Sequence, residues 1–433
     1  MSDTHLLAAA HAVSIPIQEG LTAPDALAPG QEAPLRASAV AIEAEQRLCI
    51  IASDTLIIPE DVLEGAAGEI VTRTGVPFSN LLLCATHNHH APSTIDILGA
   101  TRNAEFCARL QEALVSAAEG ACRMLDDPDA GAELHFALSQ EASFAENSRY
   151  LMRDGTIAWY KYPWADVIRP TGPCDPDLPV LALRRPGGEM AGLIFNHGTH
   201  NIGTLTEGAR SPGLFALAAQ ELERRLGGTA LFLPGAFGST HNTGAFGSTE
   251  NTRAVGTAEC VHRVVEAVEE GLGFAERMPV RPMVVLKRPF TWRMRSFDEA
   301  AQEEAVRYWS ETYAASGPEG VPDVFREMRA QMAPVQGEER ETWLQVIRLG
   351  EIALVGVPAE LFARLGMAIR RRSPFRHTFV IGLANGTMGY VGDRDAYDLG
   401  GYQLWAGMHS PSAPGTGERM VEQALAMLRE AYA

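Results

Sequence analysis

The sequence predicts an α/β protein of layered, mixed β-sheets flanked by helices. Three observations carry that reading: short β-rich runs recur along the chain, amphipathic helical patterns lie between them, and no Pro/Gly/Ser-rich linker divides them. The runs are Leu48 to Ala52, Leu81 to Ala85, Leu178 to Leu183, Leu193 to Phe195, Ala230 to Leu233, Val284 to Leu286, Glu351 to Val355 and Thr378 to Ile381. Phe106, Leu110, Leu114 and Ala117 fall on one helical face within Asn103 to Met124, and Leu214 to Leu226 and Gly417 to Ala433 are also amphipathic. A more polar helical stretch, Phe297 to Met332, is interrupted by Ser316-Gly317-Pro318 and reads as a helical excursion at about 297–335 from a single domain spanning 1–433.

Composition narrows the function. The 433 residues include 36 basic and 54 acidic ones, a formal net charge of -18, which disfavours nucleic acid and stable association with anionic membranes. A small molecule is the expected partner, and a homo-oligomer is compatible with the composition. Six cysteines show no CxxC pairing and several lie in apolar stretches, as buried thiols of a reducing compartment do. The N-terminus lacks a basic n-region, and nowhere do ~18 apolar residues run together. A cytoplasmic protein is expected.

The chemistry concentrates at strand exits. Directly after Leu81-Leu82-Leu83 comes Cys84-Ala85-Thr86-His87-Asn88-His89-His90-Ala91-Pro92. In an extended segment His87 and His89 would point the same way, into one cleft, and imidazole is a common ligand for zinc-like metals. A second pair, His197 and His200, follows the strand-like Gly192 to Phe195, with Gly198 between them allowing a close turn. The segment 235–243 (Gly-Ala-Phe-Gly-Ser-Thr-His-Asn-Thr) is repeated at 244–252 with Glu250 in place of His241, a duplicated loop after the strand ending at Leu233. Half of the twelve histidines thus sit at three strand exits, the usual position of an α/β active site. Downstream, Glu360 follows the strand Ile352 to Val357, where it either completes a His, His, carboxylate set or caps the next helix. Tyr390 and Tyr402 lie in or beside glycine-rich loops, as anchors or as donors to a developing oxyanion.

These motifs resemble the neutral (non-lysosomal) ceramidase catalytic domain. Its Thr-His-Thr-His-Ser-Gly-Pro motif is similar to Thr86 to Pro92, its later His-Pro/Gly-x-Ser motif to His197 to His200, and its Gly-Glu-Phe/Leu-Thr turn to Pro358 to Leu361. Its Asn-x-Tyr-x-x-Tyr loop is similar to Asn385 to Tyr390, with a further tyrosine matched by Tyr402, and Asp54 resembles the aspartate after the family's early strand. The resemblance implies a Zn²⁺ site of His87, His197, Glu360 and Tyr390, with His89 shuttling a proton and Tyr402 stabilising the tetrahedral oxyanion. It also implies a substrate-positioning arginine, for which Arg149, after Asn147-Ser148, is the nearest match.

Departures from the pattern are specific. His90 stands where the family has serine, Ala91 where it has a small loop residue, and Ser239 where it has aspartate, with His241 following. His90, His200 and His241 are therefore additional site candidates. The secreted form's signal peptide and C-terminal immunoglobulin-like domain find no counterpart, so reaction class is expected to transfer better than ceramide as substrate. The leading expectation is a zinc-dependent hydrolase of a C–N bond in a small or medium amide, linear or cyclic. A metal-dependent esterase, lactonase or phosphoesterase is the rival enzyme, and a non-catalytic metal-binding protein the rival outside enzymes. No GxSxG motif supports a serine hydrolase, and Cys84 sits inside an apolar strand, where a thiol is poorly activated.

Overall fold

Strand Arg36–Glu43 shows how the sequence builds the centre of the molecule. Side chains along a strand alternate faces, so Ala37, Ala39 and Ala41 enter one core while Val40 and Ile42 enter another. The same alternation runs through Arg47–Ser53 and Leu81–Ala85. Strands buried on both faces read as unbroken apolar runs, which made Leu48 to Ala52 and Leu81 to Ala85 visible in the sequence, whereas the alanine-rich Arg36–Glu43 was not among the expected runs. The structure is a computed structural model, and it describes residues 6–21, 27–157, 162–243, 254–313 and 320–433.

Leu7–Ser14, Arg36–Glu43, Arg47–Ser53 and Leu81–Ala85 form a four-stranded sheet in that order, antiparallel except for the last pair. Helices Glu60–Thr74 and Ala104–Met124 cover its outer face. Asn103 caps the second of these, its side chain accepting from the Phe106 N–H at 2.9 Å, a bond worth about 1 kcal/mol. A second sheet, of five strands, runs in the order Ala230–Pro234, Met190–His197, Asp177–Arg184, Glu133–Gln140, Glu276–Met278, and only its first pair is parallel. Helices Leu214–Leu226 and Thr257–Gly273 pack on it. The third sheet joins Met283–Arg293, Glu339–Leu349, Ile352–Gly356 and His377–Ile381, again with one parallel pair, and is covered by Ala363–Arg372 and Thr416–Tyr432.

The inner faces of the three sheets share one core, to which Leu82, Ile194 and Leu354 each contribute. Each sheet also has one parallel pair, and the carboxyl ends of those pairs are tied together. The Gly382 N–H donates to Pro234 O at 2.8 Å, and the Asn385 N–H to Leu83 O at 2.7 Å. Carboxyl ends of parallel strands are where α/β proteins place their ligands.

The helical excursion consists of Glu299–Tyr313 and Val321–Met332. Val306, Trp309 and Phe325 from it pack against Phe362, Tyr390 and Tyr402, so it braces the tyrosine-bearing loops. Ser316-Gly317-Pro318 and the second repeat copy, including Glu250, lie outside the described residues. No described helix is long and apolar enough to cross a membrane.

Candidate metal centre

On leaving strand Leu81–Ala85 the chain turns at once. The Thr86 N–H donates to Ser53 O at 2.8 Å and the Asn88 N–H to Thr55 O at 3.0 Å, while the Asn88 amide donates to the carbonyls of Asp54 (3.2 Å) and Ser211 (2.7 Å). Behind this turn Asp54 accepts from the Arg36 N–H at 2.9 Å, and burial pushes its pKa up to about 7. His87, pinned between these anchors, has a φ of 60°, a left-handed conformation that costs a residue with a Cβ about 1–3 kcal/mol. The extended segment expected to align His87 and His89 by alternation is therefore absent. The rings meet nonetheless, edge to face, with centroids 4.7 Å apart.

Two histidines present the same atom to one carboxylate. His87 Nδ1 lies 3.1 Å from Leu56 O, and His200 Nδ1 lies 2.9 Å from Thr240 O. A carbonyl only accepts, so both Nδ1 atoms carry a proton, and each ring turns its Nε2 toward the carboxylate. Glu360 Oε2 stands 3.3 Å from His87 Nε2 and 3.5 Å from His200 Nε2. Glu360 belongs to the two-residue strand Glu360–Leu361, paired in parallel with Tyr390–Val391 so that Glu360 and Tyr390 are opposite each other. Its carboxylate is turned to the histidines and caps no helix. The Tyr390 hydroxyl lies 3.1 Å from His200 Nε2.

The protonation states follow from the setting. Burial works to raise the Glu360 pKa, but the neighbouring His87 and His200 more than offset it and hold the carboxyl well below its usual range. Burial lowers the pKa of His200. Buried His87 Nε2 and Glu360 Oε2 have no hydrogen-bond partner among the described residues. Imidazole nitrogens and a carboxylate oxygen facing each other across a buried gap hold a cation between them, a proton or a metal ion, so the donor set fits a metal. One ligating nitrogen each from His87, His89 and His200 falls within 4.8 Å of the others. His89 is exposed at the cleft by surface area, yet protein surrounds it closely, and loss of water followed by the charge of His87 and His200 moves its pKa well below 6.5.

Three expectations need correction or replacement. His197 does not join the cluster: it remains in strand Met190–His197, its Nε2 donates to Glu141 O at 3.0 Å, and its ring packs with Phe144 and Phe215 at 5.9 and 5.5 Å. The chain turns at Gly198 before delivering His200 to the position expected of His197. Arg149 is buried, but its guanidinium is bound to protein: Nη1 donates to Gln403 Oε1 at 3.0 Å, and Nη2 to the carbonyls of Ala396 (3.3 Å) and Gly400 (2.6 Å). It holds the loop that carries Tyr402 and does not reach into the histidine cluster. His90 Nε2 accepts from the Gly203 N–H at 2.9 Å, tying two loops together behind the site.

His241 and Tyr402 do come together. His241 sits in strand Thr240–Asn242, paired with Ala145–Asn147, and stacks on His200 with centroids 3.7 Å apart and planes at 14°. Its Nδ1 lies 2.8 Å from Ser148 Oγ and its Nε2 3.3 Å from the Tyr402 hydroxyl. The Tyr402 ring stands edge to face with Tyr390 at 6.1 Å. Burial raises the pKa of both phenols, so both hydroxyls keep their protons.

A cleft of about 430 Å³ opens onto the cluster, bounded by Leu56, Ile57, Ile97 and Leu98 on one side and by Arg210 and His409 elsewhere. A second cavity of about 430 Å³, at Leu6, Ala132 and Val280, shares no residue with it, so the histidines and not the volume single out the site. Sequence reasoning missed His409, whose Nε2 donates to Tyr402 O at 2.7 Å, and Arg210. Neither follows an apolar run nor belongs to any of the motifs that marked the others.

No protein-family description and no curated protein sequence matches the chain. Among solved structures it is similar to neutral ceramidase from Pseudomonas aeruginosa, with a TM-score of 0.69 at 17% identity, over 99% of this chain and 75% of that one. A ceramidase complexed with C2 matches equally, with a TM-score of 0.69 at 17% identity, over 99% of this chain and 76% of that one. The recurrent strands, the three sheets and the strand-exit motifs thus resolve into one conclusion: the chain has the neutral ceramidase fold.

Proposed function

We propose that this protein is a zinc-dependent hydrolase of amide bonds in small or medium substrates. The observation that carries the reading is the convergence of two buried Nε2 atoms and one carboxylate oxygen, with His87 Nε2 and Glu360 Oε2 lacking any hydrogen-bond partner among the described residues. Imidazole and carboxylate are the donors zinc takes, and a histidine ligand ordinarily has its other nitrogen bonded to a carbonyl or carboxylate, as Leu56 O and Thr240 O do here. His87, His200 and Glu360 would hold the ion, with the Tyr390 hydroxyl beside them. A zinc ion so held would supply Lewis acidity, the chemistry that polarises a carbonyl and lowers the pKa of water to about 7.

The chain's own residues account for the rest of an amide hydrolysis. His89, on the open side of the cluster and neutral, takes a proton from the attacking water and returns it to the leaving nitrogen. Tyr402 keeps its proton and donates to the oxyanion as the carbonyl becomes tetrahedral. The network from Arg149 through Gln403 and Ser148 to His241 fixes where that hydroxyl lies. The fold shared with ceramidases, enzymes acting on an amide by name, supports amides ahead of other electrophiles.

Elemental analysis of the purified, metal-loaded protein joined to a matched panel of amides, esters and phosphates tests the reading. Stoichiometric zinc with the highest turnover on amides is expected. Absence of tightly bound metal, or metal with turnover only on esters or phosphates, overturns it.

A further inference from the structure

The cleft that leads to the histidine cluster is apolar on one wall, where Leu56, Ile57, Ile97 and Leu98 line it. Leu98 is held 45% exposed there with a φ of 50°, a left-handed backbone for a branched residue. Among the described residues lining the cleft only two are permanently charged, Glu360 and Arg210. Glu360 faces His87 and His200, which leaves Arg210 as the one permanent cation among the described residues of the cleft.

Arg210 is fixed over this opening. Its N–H donates to Gly30 O at 2.8 Å, its carbonyl accepts from the Glu32 N–H at 3.0 Å, and its Nη1 donates to the carbonyl of Ala91, a cleft residue, at 3.3 Å. No described carboxylate comes within 4.0 Å of the guanidinium, whereas Arg102 and Arg36 pair with Asp61 and Glu223. The nearby Glu32 carboxylate is committed to the N–H groups of Leu205 (3.0 Å) and Thr206 (2.9 Å). In a chain with a net charge of -18, an exposed arginine lining an apolar cleft, with no described carboxylate paired to it, is placed for an anion.

We propose that the substrate is an anionic amide, an apolar acyl chain joined through the scissile bond to a group bearing a carboxylate, as in an N-acyl amino acid. This rests on the hydrolase reading above and adds the substrate class. The acyl chain lies along the Ile97 and Leu98 wall, and the carboxylate pairs with the Arg210 fork. A cleft of about 430 Å³ accommodates a ligand of this size.

The test compares N-hexanoylphenylalanine with its carboxamide, by turnover and by calorimetric binding, in the wild type, Arg210→Gln and Arg210→Glu. The wild type is expected to favour the acid about fivefold in KM and Kd, the strength of one partly solvated ion pair, and the preference shrinks as salt is raised. Arg210→Gln removes the preference and Arg210→Glu inverts it. Equal handling of acid and carboxamide by the wild type, or a preference that survives Arg210→Glu, overturns the proposal while leaving amide hydrolysis standing. Arg210-dependent binding of the acid with no turnover of either compound overturns the hydrolase reading and retains the anion site.

Discussion

Exchanging the fates of two histidines only three positions apart is the sharpest test of the candidate centre. His200→Ala removes an Nε2 that lies 3.5 Å from Glu360 Oε2 and 3.1 Å from the Tyr390 hydroxyl. A hydrogen bond behind a metal ligand is worth about 10–100-fold in metal affinity, so loss of the donor itself should cost on the order of 10²-fold or more. His197→Ala removes a ring packed between Phe144 and Phe215 and leaves the Glu141 carbonyl without its 3.0 Å donor. The cavity costs about 2–4 kcal/mol and the unpaired carbonyl about 1–3 kcal/mol, with no donor taken from the cluster. Zinc stoichiometry by elemental analysis after desalting, read beside a denaturant melt, separates the two. His200→Ala should lose zinc with modest loss of stability, and His197→Ala should keep zinc in a folded fraction that melts much earlier. Zinc lost from folded His197→Ala and retained by His200→Ala would refute the assignment and restore the ligand set first expected from the sequence.

Two further outcomes bear on the reaction. His89→Ala should bind zinc at wild-type stoichiometry yet turn over amides on the order of 10²-fold more slowly, the usual loss of a positioned acid–base group; loss of the metal would make His89 a ligand instead. Tyr402→Phe should slow turnover by on the order of 10²-fold with the metal in place, and equal rates would remove Tyr402 from the mechanism.

Much of the site was legible because its residues follow apolar strands. His87 and Glu360 each come soon after the end of a strand of fully buried residues, where the sequence switches abruptly from apolar to polar, while Tyr390 was marked by its glycine-rich loop and by the family resemblance. What could not be read was rotation about the chain after the strand ends. His197 and His200 look equivalent in a string of letters, but a residue still inside the ladder points into the sheet–helix core, and one past the Gly198 turn does not. His87 shows the same limit: alternation predicts its direction only while the strand lasts, and the strand stops at Ala85. Arg149 was misread for a different reason. Its partners are main-chain carbonyls of residues 396 and 400, and no motif announces where a buried guanidinium will find distant carbonyls. Arg210 and the cleft wall were invisible because they are brought together only by the packing of separate loops.

The energetics of the cluster argue that it was shaped for a ligand and not merely for the fold. A left-handed φ at a histidine costs about 1–3 kcal/mol, and each buried polar atom without a partner costs about 1–3 kcal/mol more. Strain and unpaired atoms of that size persist only where surrounding structure over-determines them, and the anchors around His87 do so: Thr86 and Asn88 are bonded on either side, to Ser53, Thr55, Asp54 and Ser211. Relaxing φ at His87 would swing Nε2 away from Glu360 and relieve both costs at once. The fold instead spends four hydrogen bonds holding the ring where it is least comfortable. Local rules broken together, at the meeting point of three parallel strand pairs, mark a site whose geometry is set by what it binds.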